Sequence, residues 1–403
     1  MPAQITAIVP TFNRADLIQE TVEAIAAQSR PVSQVIIWND GSTDATPDVL
    51  SKLEQSINLP LDIHHAGNGG KSQALNRALA KAKGEYIWIC DDDDIALPKA
   101  AETLGKMLDD NPDKGLSAGR HLRFSTDPRT GERITSDTGY WPDLASGSVL
   151  RHTLEDIFFF QNATFVRRGI FERVGPFRED LKRSIDYEMF VRLLCRSAVE
   201  LTDEVVFLQR KHDGARGPAS ARHAAAKSET VWRAADQQIF RDLRGQIPLS
   251  VYEALFEGDD PALIRRAALL QRGCVYARKS DWQTAIDDFG LAVAALPNVG
   301  LTQLEADICR RAMSGKHGAS EAFLSHNRTG IIRLAAKGRA GSDLASALAR
   351  GAVWRMREAA KKRDISEMIR ISRFIAARLP FGDAKQAPKL TENATLQAEA
   401  YAW

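Results

Sequence analysis

Four consecutive carboxylates, Asp91, Asp92, Asp93 and Asp94, directly follow the apolar run Tyr86-Ile87-Trp88-Ile89-Cys90. Adjacent carboxylates repel one another unless a cation or a basic partner neutralises them, and hard oxygen ligands suit Mg²⁺ or Mn²⁺. A solvated turn or a helix cap would use the same residues. The buried run before them, with Ile95 and Pro98 after, favours a cation and a diphosphate at a strand end. A second polar stretch, Asn39-Asp40-Gly41-Ser42-Thr43-Asp44, places Asp40 one step beyond another apolar run, where it could accept hydrogen bonds from a ligand base or ribose or simply shape a turn. Asp44 and Thr46 read as helix caps. A third, Gly67-Asn68-Gly69-Gly70-Lys71-Ser72, looks like the end of a phosphate loop, but His65 stands where the first glycine of that motif belongs, which argues against an NTPase.

Such residues need a frame that brings separate loops together. Up to about residue 125, short apolar runs alternate with amphipathic stretches. The spacing predicts strands at Ile5–Val9, Gln34–Trp38, Leu61–His64 and Glu85–Cys90, and helices at Leu17–Gln28, Thr46–Ser56 with Pro47 in its first turn, and Ser72–Lys83. This β-α-β-α-β-α-β order predicts an α/β unit with a mostly parallel sheet, whose ligands sit at the carboxyl ends of the strands. Thr11 and Asn13, Asn39 and Asp40, Asn68 and Lys71, and Asp91 to Asp94 follow the four strands in turn, so four loops should converge. The Thr-, Gly-, Asp- and Pro-rich stretch from Ser125 to Gly147 reads as a long loop or lid, and Phe158-Phe159-Phe160 as core.

From about His223 the pattern becomes helical and rich in Ala, Leu and Arg. Arg266 to Pro297 fits a tetratricopeptide template at Leu269, Gly273, Tyr276, Ala285, Phe289, Ala292 and Pro297, and a degraded copy runs from Ala349 to Pro380. One repeat cannot bury its own face, so neighbouring helices must complete a small solenoid. Phe381 to Trp403 is polar and aperiodic, as a frayed tail would be. The expected division is an α/β domain over 1–222, a helical domain over 223–380 and a tail over 381–403.

With 403 residues, 54 Lys and Arg against 52 Asp and Glu, and 44% apolar residues, the composition excludes disordered, collagenous and coiled-coil classes. Cys90, Cys195, Cys274 and Cys309 are too dispersed for CxxC pairing. The first residues lack a basic start and a long apolar run, and no stretch reaches the length of a membrane span, so a soluble, cytoplasmic protein is expected. A net charge of +2 argues against a nucleic-acid partner. The charge is uneven, because Leu301 to Pro380 holds 16 Lys and Arg against 7 Asp and Glu.

Taken together, Val9-Pro10-Thr11-Phe12-Asn13-Arg14, the Asn39 to Asp44 stretch, Gly70-Lys71-Ser72 with Ala74 and Asn76, Gly84-Glu85-Tyr86-Ile87 leading into Asp91 to Asp94, and Ser184-Ile185-Asp186-Tyr187-Glu188 with Arg192 resemble the inverting family 2 glycosyltransferases with a GT-A fold. The resemblance covers about residues 4 to 215, and its weight comes from five motifs in the right order. It implies that Thr11, Phe12, Asp40, Asn68 and Lys71 surround the donor nucleotide, that Asp91 and Asp93 hold Mn²⁺ or Mg²⁺ and the diphosphate, and that Asp92 touches the ribose. It also implies that Asp186 is the catalytic carboxylate and that His212, in Gln209-Arg210-Lys211-His212-Asp213-Gly214, approaches the metal. Ile185 replaces the acidic residue that usually precedes the catalytic Asp, and no QxxRW segment is present, which points away from a processive synthase.

Inverting transfer needs a base to take the acceptor hydroxyl proton and a metal to offset charge on the departing diphosphate. Asp186 would be that base, although an Asp there also caps a helix; Arg192 reads as an ion-pair partner on the same helix. The expected activity moves one sugar from a nucleotide-diphosphate-sugar, with a UDP-sugar foremost, to a hydroxyl of a surface-glycan or lipid-linked oligosaccharide acceptor. The alternative is a tetratricopeptide-type scaffold whose nucleotide-sugar-binding domain is inactive. The basic helical region suggests peripheral association with an anionic membrane, at the inner face of the cell membrane, or with a protein partner.

Overall fold

The structure, a computed structural model, describes residues 3–127, 129–136, 138–211, 228–376, 389–396 and 398–401. Along the chain these residues form β1 (Ile5–Thr11), α1 (Ile18–Ala26), β2 (Gln34–Asn39), α2 (Thr46–Ser56), β3 (Leu61–His65), α3 (Lys71–Leu79), β4 (Tyr86–Ile89), β5 (Ile95–Ala96), α4 (Ala100–Asp110), β6 (Leu116–Thr126), β7 (Arg133–Thr135), α5 (Val149–Glu155), β8 (Thr164–Arg167), α6 (Arg168–Val174), α7 (Ile185–Leu194) and β9 (Val199–Arg210). Then come α8 (Ser228–Leu243), α9 (Leu249–Glu253), β10 (Phe256–Gly258), α10 (Pro261–Arg278), α11 (Trp282–Ala295), α12 (Gln303–Arg311), α13 (Ser325–Ala335), α14 (Arg339–Lys361), α15 (Ile365–Ala376) and β11 (Leu390–Glu392).

The described residues divide into two compact units, one running to Asp143 and from Ile157 to Ser228, with Tyr401, and the other comprising Leu144–Asp156 with Glu229–Ala400. The first is built on one mixed sheet in the order β3-β2-β1-β4-β8-β6-β9-β5, with β7 on β6. Its β3-β2-β1-β4 half is parallel, as the alternation of apolar runs requires. Every residue of β1 is buried, and Ile5, Ala7, Val9, Val35, Ile37 and Trp88 pack against Ile18, Val22 and Leu50 of the crossover helices. Fully burying an aliphatic side chain of this kind contributes about 1.5–3 kcal/mol, so these strands hold their loops on a rigid base.

The other half of that sheet is a different construction. β8 runs antiparallel to β4 and β6, β9 runs parallel to β6, and β5 antiparallel to β9. None of these strands stands out by local alternation, because β6 and β9 are long and shift register at a bulge. Within the stretch read as a loop, Arg133–Thr135 pairs with β6, and the segment from Leu144 belongs to the helical unit. Phe158 and Phe159 are core, as their composition suggested.

In the second unit, α10 and α11 form a hairpin closed at Gly273, where a Cβ would lie 2.5 Å from the Phe289 ring. The stretch read as a frayed tail is partly structured, since Leu390–Glu392 pairs antiparallel with β10. This unit also buries charge. Arg266 and Glu305 are both fully buried and joined by two hydrogen bonds of 2.7 and 2.8 Å. Glu155, at the end of α5, accepts from Arg311 Nε and Gln271 Nε2 at 2.9 Å each and lies near Arg151 and Arg278. Asp156 pairs with Arg278, while Lys279 Nζ donates to the Glu155 carbonyl at 2.6 Å. Burial would raise the Glu155 pKa, but Arg311, Arg278 and Arg151 override it and hold that carboxyl well below its usual range.

Candidate active site

The loops after β1 and β2 are tied to each other. The Thr11 carbonyl accepts the Asp40 N–H at 2.9 Å. Asn13 adopts a left-handed φ of 54°, which Asn tolerates better than most residues, and from there its N–H donates to Ser42 Oγ at 2.9 Å while its Oδ1 accepts the Thr43 N–H at 2.8 Å. Asp44 accepts the N–H groups of Thr46 and Ala15, so it serves the start of α2, as a cap would.

Asp40 ties the second loop to the third. Its buried carboxylate accepts the Gly69 and Gly70 N–H groups at 2.8 Å each, and Asn68 Nδ2 donates to its carbonyl at 3.0 Å. Gly41 is required here, because its φ is 78° and a Cβ would lie 2.6 Å from the Asn68 nitrogen. Each carboxylate oxygen of Asp40 keeps a second lone pair, which is the capacity a nucleotide contact could use.

Lys71 opens α3, and its ammonium pairs with Asp91. Burial opposes that charge, but Asp91, followed by Asp186 and Asp92, outweighs it and keeps the Lys71 pKa above its ordinary value. Asp91 also accepts Gln161 Nε2 at 2.7 Å, and its N–H donates to Asn162 Oδ1 at 3.0 Å. Asp92 accepts the Phe12 N–H at 3.4 Å and faces Arg14 Nε at 3.4 Å. Burial and the adjacent Asp93 push its pKa up to about 7, with Arg14 pulling the other way. Asp93 lies 3.8 Å from the other side of the Arg14 guanidinium, and its carbonyl accepts Arg210 Nε at 3.0 Å.

Asp94 does a different job. It is buried, and its carboxylate accepts the Arg210 N–H at 2.8 Å and Asn162 Nδ2 at 2.6 Å, while its carbonyl accepts from Thr21 Oγ1 at 2.9 Å. The acidic run therefore splits into three half-buried carboxylates and one internal brace that joins the end of β4 to β9.

Asp186 is the second residue of α7, after Ser184 with φ 52°. Its Oδ1 accepts the Tyr187 N–H at 2.9 Å, and it borders an apolar hollow lined by Ile87, Ile89, Phe190 and Leu193. Burial raises its pKa and Lys71 opposes that rise, so Asp186 and Lys71 lie within electrostatic reach. Glu188 and Arg192 form the internal ion pair expected of them, with two bonds of 2.8 Å, and Arg192 also donates to the Val174 carbonyl at 2.7 Å.

Thr11, Phe12, Asp40, Asn68, Lys71, Asp91, Asp92, Asp93 and Asp186 thus belong to one connected cluster, whereas His212 lies outside the described residues. Sequence reasoning missed Gln161, Asn162, Arg210 and Glu20. Glu20 on α1 pairs with both Arg210 and Arg133. Gln161, Asn162 and Glu20 carry no local motif, and Arg210 stood in the Gln209 to Gly214 stretch without a role; the turn before β8, the end of β9 and helix α1 bring them to the acidic run.

Among the described residues no three His, Cys, Asp or Glu side chains close around a metal ion. The donor chemistry nevertheless fits a hard divalent cation, since Asp91 and Asp93 offer carboxylate oxygens on either side of Asp92, whose pKa burial and the adjacent Asp93 raise. Gln161 Oε1 and Ser72 Oγ, both buried, have no hydrogen-bond partner here.

Residues 6–175 match the model of glycosyl transferase family 2. That segment is a family 2 glycosyltransferase domain. The glycosyltransferase is 27% identical over 233 residues to an uncharacterized glycosyltransferase of Rickettsia typhi, covering 57% of this chain and 70% of that protein. It is 30% identical over 190 residues to a chondroitin synthase of Pasteurella multocida, covering 47% of this chain but 18% of that one. Among solved structures, that of Staphylococcus aureus TarS 1–349 in complex with UDP-GlcNAc aligns with a TM-score of 0.49 and 17% identity, over 85% of this chain and 91% of that one. The family 2 region has the GT-A fold, a mixed and largely parallel sheet, and a helical region follows it. Asp186 and α7 lie beyond the matched span of the glycosyltransferase.

Proposed function

We propose that this glycosyltransferase works by inversion, moving a single sugar from a nucleotide-diphosphate-sugar to a hydroxyl of a surface-glycan or lipid-linked oligosaccharide acceptor. The observation that carries the reading is the Lys71–Asp91 pair, flanked by the charge-rich Asp92 and Asp93 and within electrostatic reach of Asp186. In this reading Thr11, Phe12, Asp40 and Asn68 surround the nucleoside, and Asp92 faces the ribose. Lys71 exchanges Asp91 for a phosphate oxygen. Asp91 and Asp93 would hold Mn²⁺ or Mg²⁺, which when bound offsets negative charge on the departing diphosphate. Asp186 takes the acceptor proton, and the upward displacement of its pKa brings it closer to neutral pH, where a general base is most effective. The likeness to a Pasteurella chondroitin synthase favours a polysaccharide-type acceptor. We also read the α10–α11 hairpin, with Gly273 beneath Phe289, as a tetratricopeptide-like repeat.

A thermal-shift screen of UDP-, GDP- and dTDP-sugars with and without Mn²⁺ tests the donor, with UDP-sugars the first choice. A ligand that binds the native state raises apparent stability by about 2.7 kcal/mol at a hundred times its Kd. Stabilisation by a sugar nucleotide that depends on the metal is the expected result, and the absence of any shift, with no donor hydrolysis sensitive to chelation, would sink the proposal.

A further inference from the structure

The basic residues between Leu301 and Pro380 do not act alike. Arg311 is engaged by Glu155, Arg310 by Asp307, and Arg355 donates to the Met313 and Gly315 carbonyls. Arg350, Arg357, Lys362, Arg363 and Arg373 are exposed, and among the described residues none of them makes an ion pair. Arg350, Val353, Trp354, Arg357 and Lys361 recur at steps of three and four along α14, so they share one face of that helix. Ile365 and Ile369 stand one turn apart on α15.

The apolar members of this set are unusually open to water: Val353 39%, Trp354 47%, Ile365 70% and Ile369 48% exposed. Large apolar side chains among unpaired cations suit a partner that is anionic at its surface and apolar beneath it. An anionic polysaccharide would match the charges and could stack on Trp354, but it would gain little from Ile365 and Ile369. No described helix is long and apolar enough to cross a membrane. We propose that the α14–α15 hairpin docks on an anionic phospholipid surface, with its unpaired Arg and Lys side chains at the head groups and Trp354, Ile365 and Ile369 entering the interface.

The proposal does not rest on the transferase reading, and its test needs no turnover. The full chain is sedimented with phosphatidylcholine vesicles with and without phosphatidylglycerol, at low and at physiological salt. Binding is expected only with phosphatidylglycerol and should weaken with salt. Arg350→Gln combined with Arg357→Gln and Lys362→Gln should lower the partition about 10²-fold, since each basic residue near such a surface contributes roughly five-fold. Trp354→Ser with Ile365→Ser and Ile369→Ser should lower it at least about 10-fold. All these positions are exposed, so melting temperatures should stay close to that of the parent; Ile365→Ser alone, at the most exposed of them, gives a second reading if a triple variant does not fold. The proposal is overturned by no binding to anionic vesicles, by equal binding to neutral ones, by full binding of the apolar variant, or by capture on heparin with no vesicle binding.

Discussion

At the end of β4, Asp91 to Asp94 set four carboxylates against Lys71 and Arg14, whereas in the helical unit Glu155 and Asp156 sit among Arg151, Arg278, Lys279 and Arg311. The two clusters have opposite electrostatic outcomes. Burial and the adjacent Asp93 drive the Asp92 pKa up to about 7, while Arg311, Arg278 and Arg151 hold that of Glu155 far down. A buried cluster whose charges balance serves the fold, because each ion is held by partners that cannot leave. A half-buried cluster with surplus charge is ready for a ligand, and a cation is the ligand that relieves it.

The largest effect should come from breaking the open cluster. Asp93→Ala should lower transfer by about 10³-fold or more and remove metal-dependent donor binding, since several kcal/mol of charge stabilisation are lost. Transfer assays with calorimetric donor titration check this, and an active variant would overturn the metal assignment. Glu155→Ala attacks the closed cluster. It strips Arg311 of its carboxylate and leaves the buried Arg278 with Asp156 alone, and should destabilise the protein by about 3–5 kcal/mol in urea unfolding. A change below about 1 kcal/mol would show that the balance there is not structural.

Asp186→Asn separates chemistry from binding. It keeps shape and removes the proton acceptor, so kcat should fall by about 10² or more while donor affinity holds. Lost affinity with surviving kcat would make Asp186 a helix cap. The smallest effect concerns pH. Asp92 binds its proton more tightly in the folded state than its ordinary pKa of 3.8 implies, so its contribution to stability declines as pH rises from about 4 through about 7. Glu155 has the opposite sign, with a contribution present above its ordinary value and lost as pH falls below it. Urea melts across this range should show Asp92→Asn flattening the fall towards neutral pH by on the order of 2 kcal/mol, with Mn²⁺ producing the same flattening in the parent chain. An unchanged slope in both cases would mean that Asp92 is not the group in deficit.

Much of the open cluster was readable because its signals are local. Apolar runs of four to seven residues mark β1, β2 and β4, and the polar residues one or two steps beyond each must lie at the same edge of a parallel sheet. The glycines at 41 and 70 announce turns that only they can make. Asn162 shows where this stops. Its amide bonds both Asp91 and Asp94, yet it follows an aromatic run without any spacing that would single it out.

The sequence by itself determined the parallel half of the sheet, the order of the four loops and the identity of the acidic, lysine and glycine residues in them, because period and turn chemistry act over a few neighbours. Only the tertiary structure decided which of four adjacent aspartates would be the internal brace and which would stay half-buried, since that depends on Arg210 and Asn162 arriving from β9 and from the turn before β8. It also decided that Leu144–Asp156, within the last part of the family 2 segment, folds with the helical unit. The reason is that a buried carboxylate such as Glu155 must lie where its cations are, and those cations are Arg278 on α10 and Arg311 on α12, more than a hundred residues further along the chain.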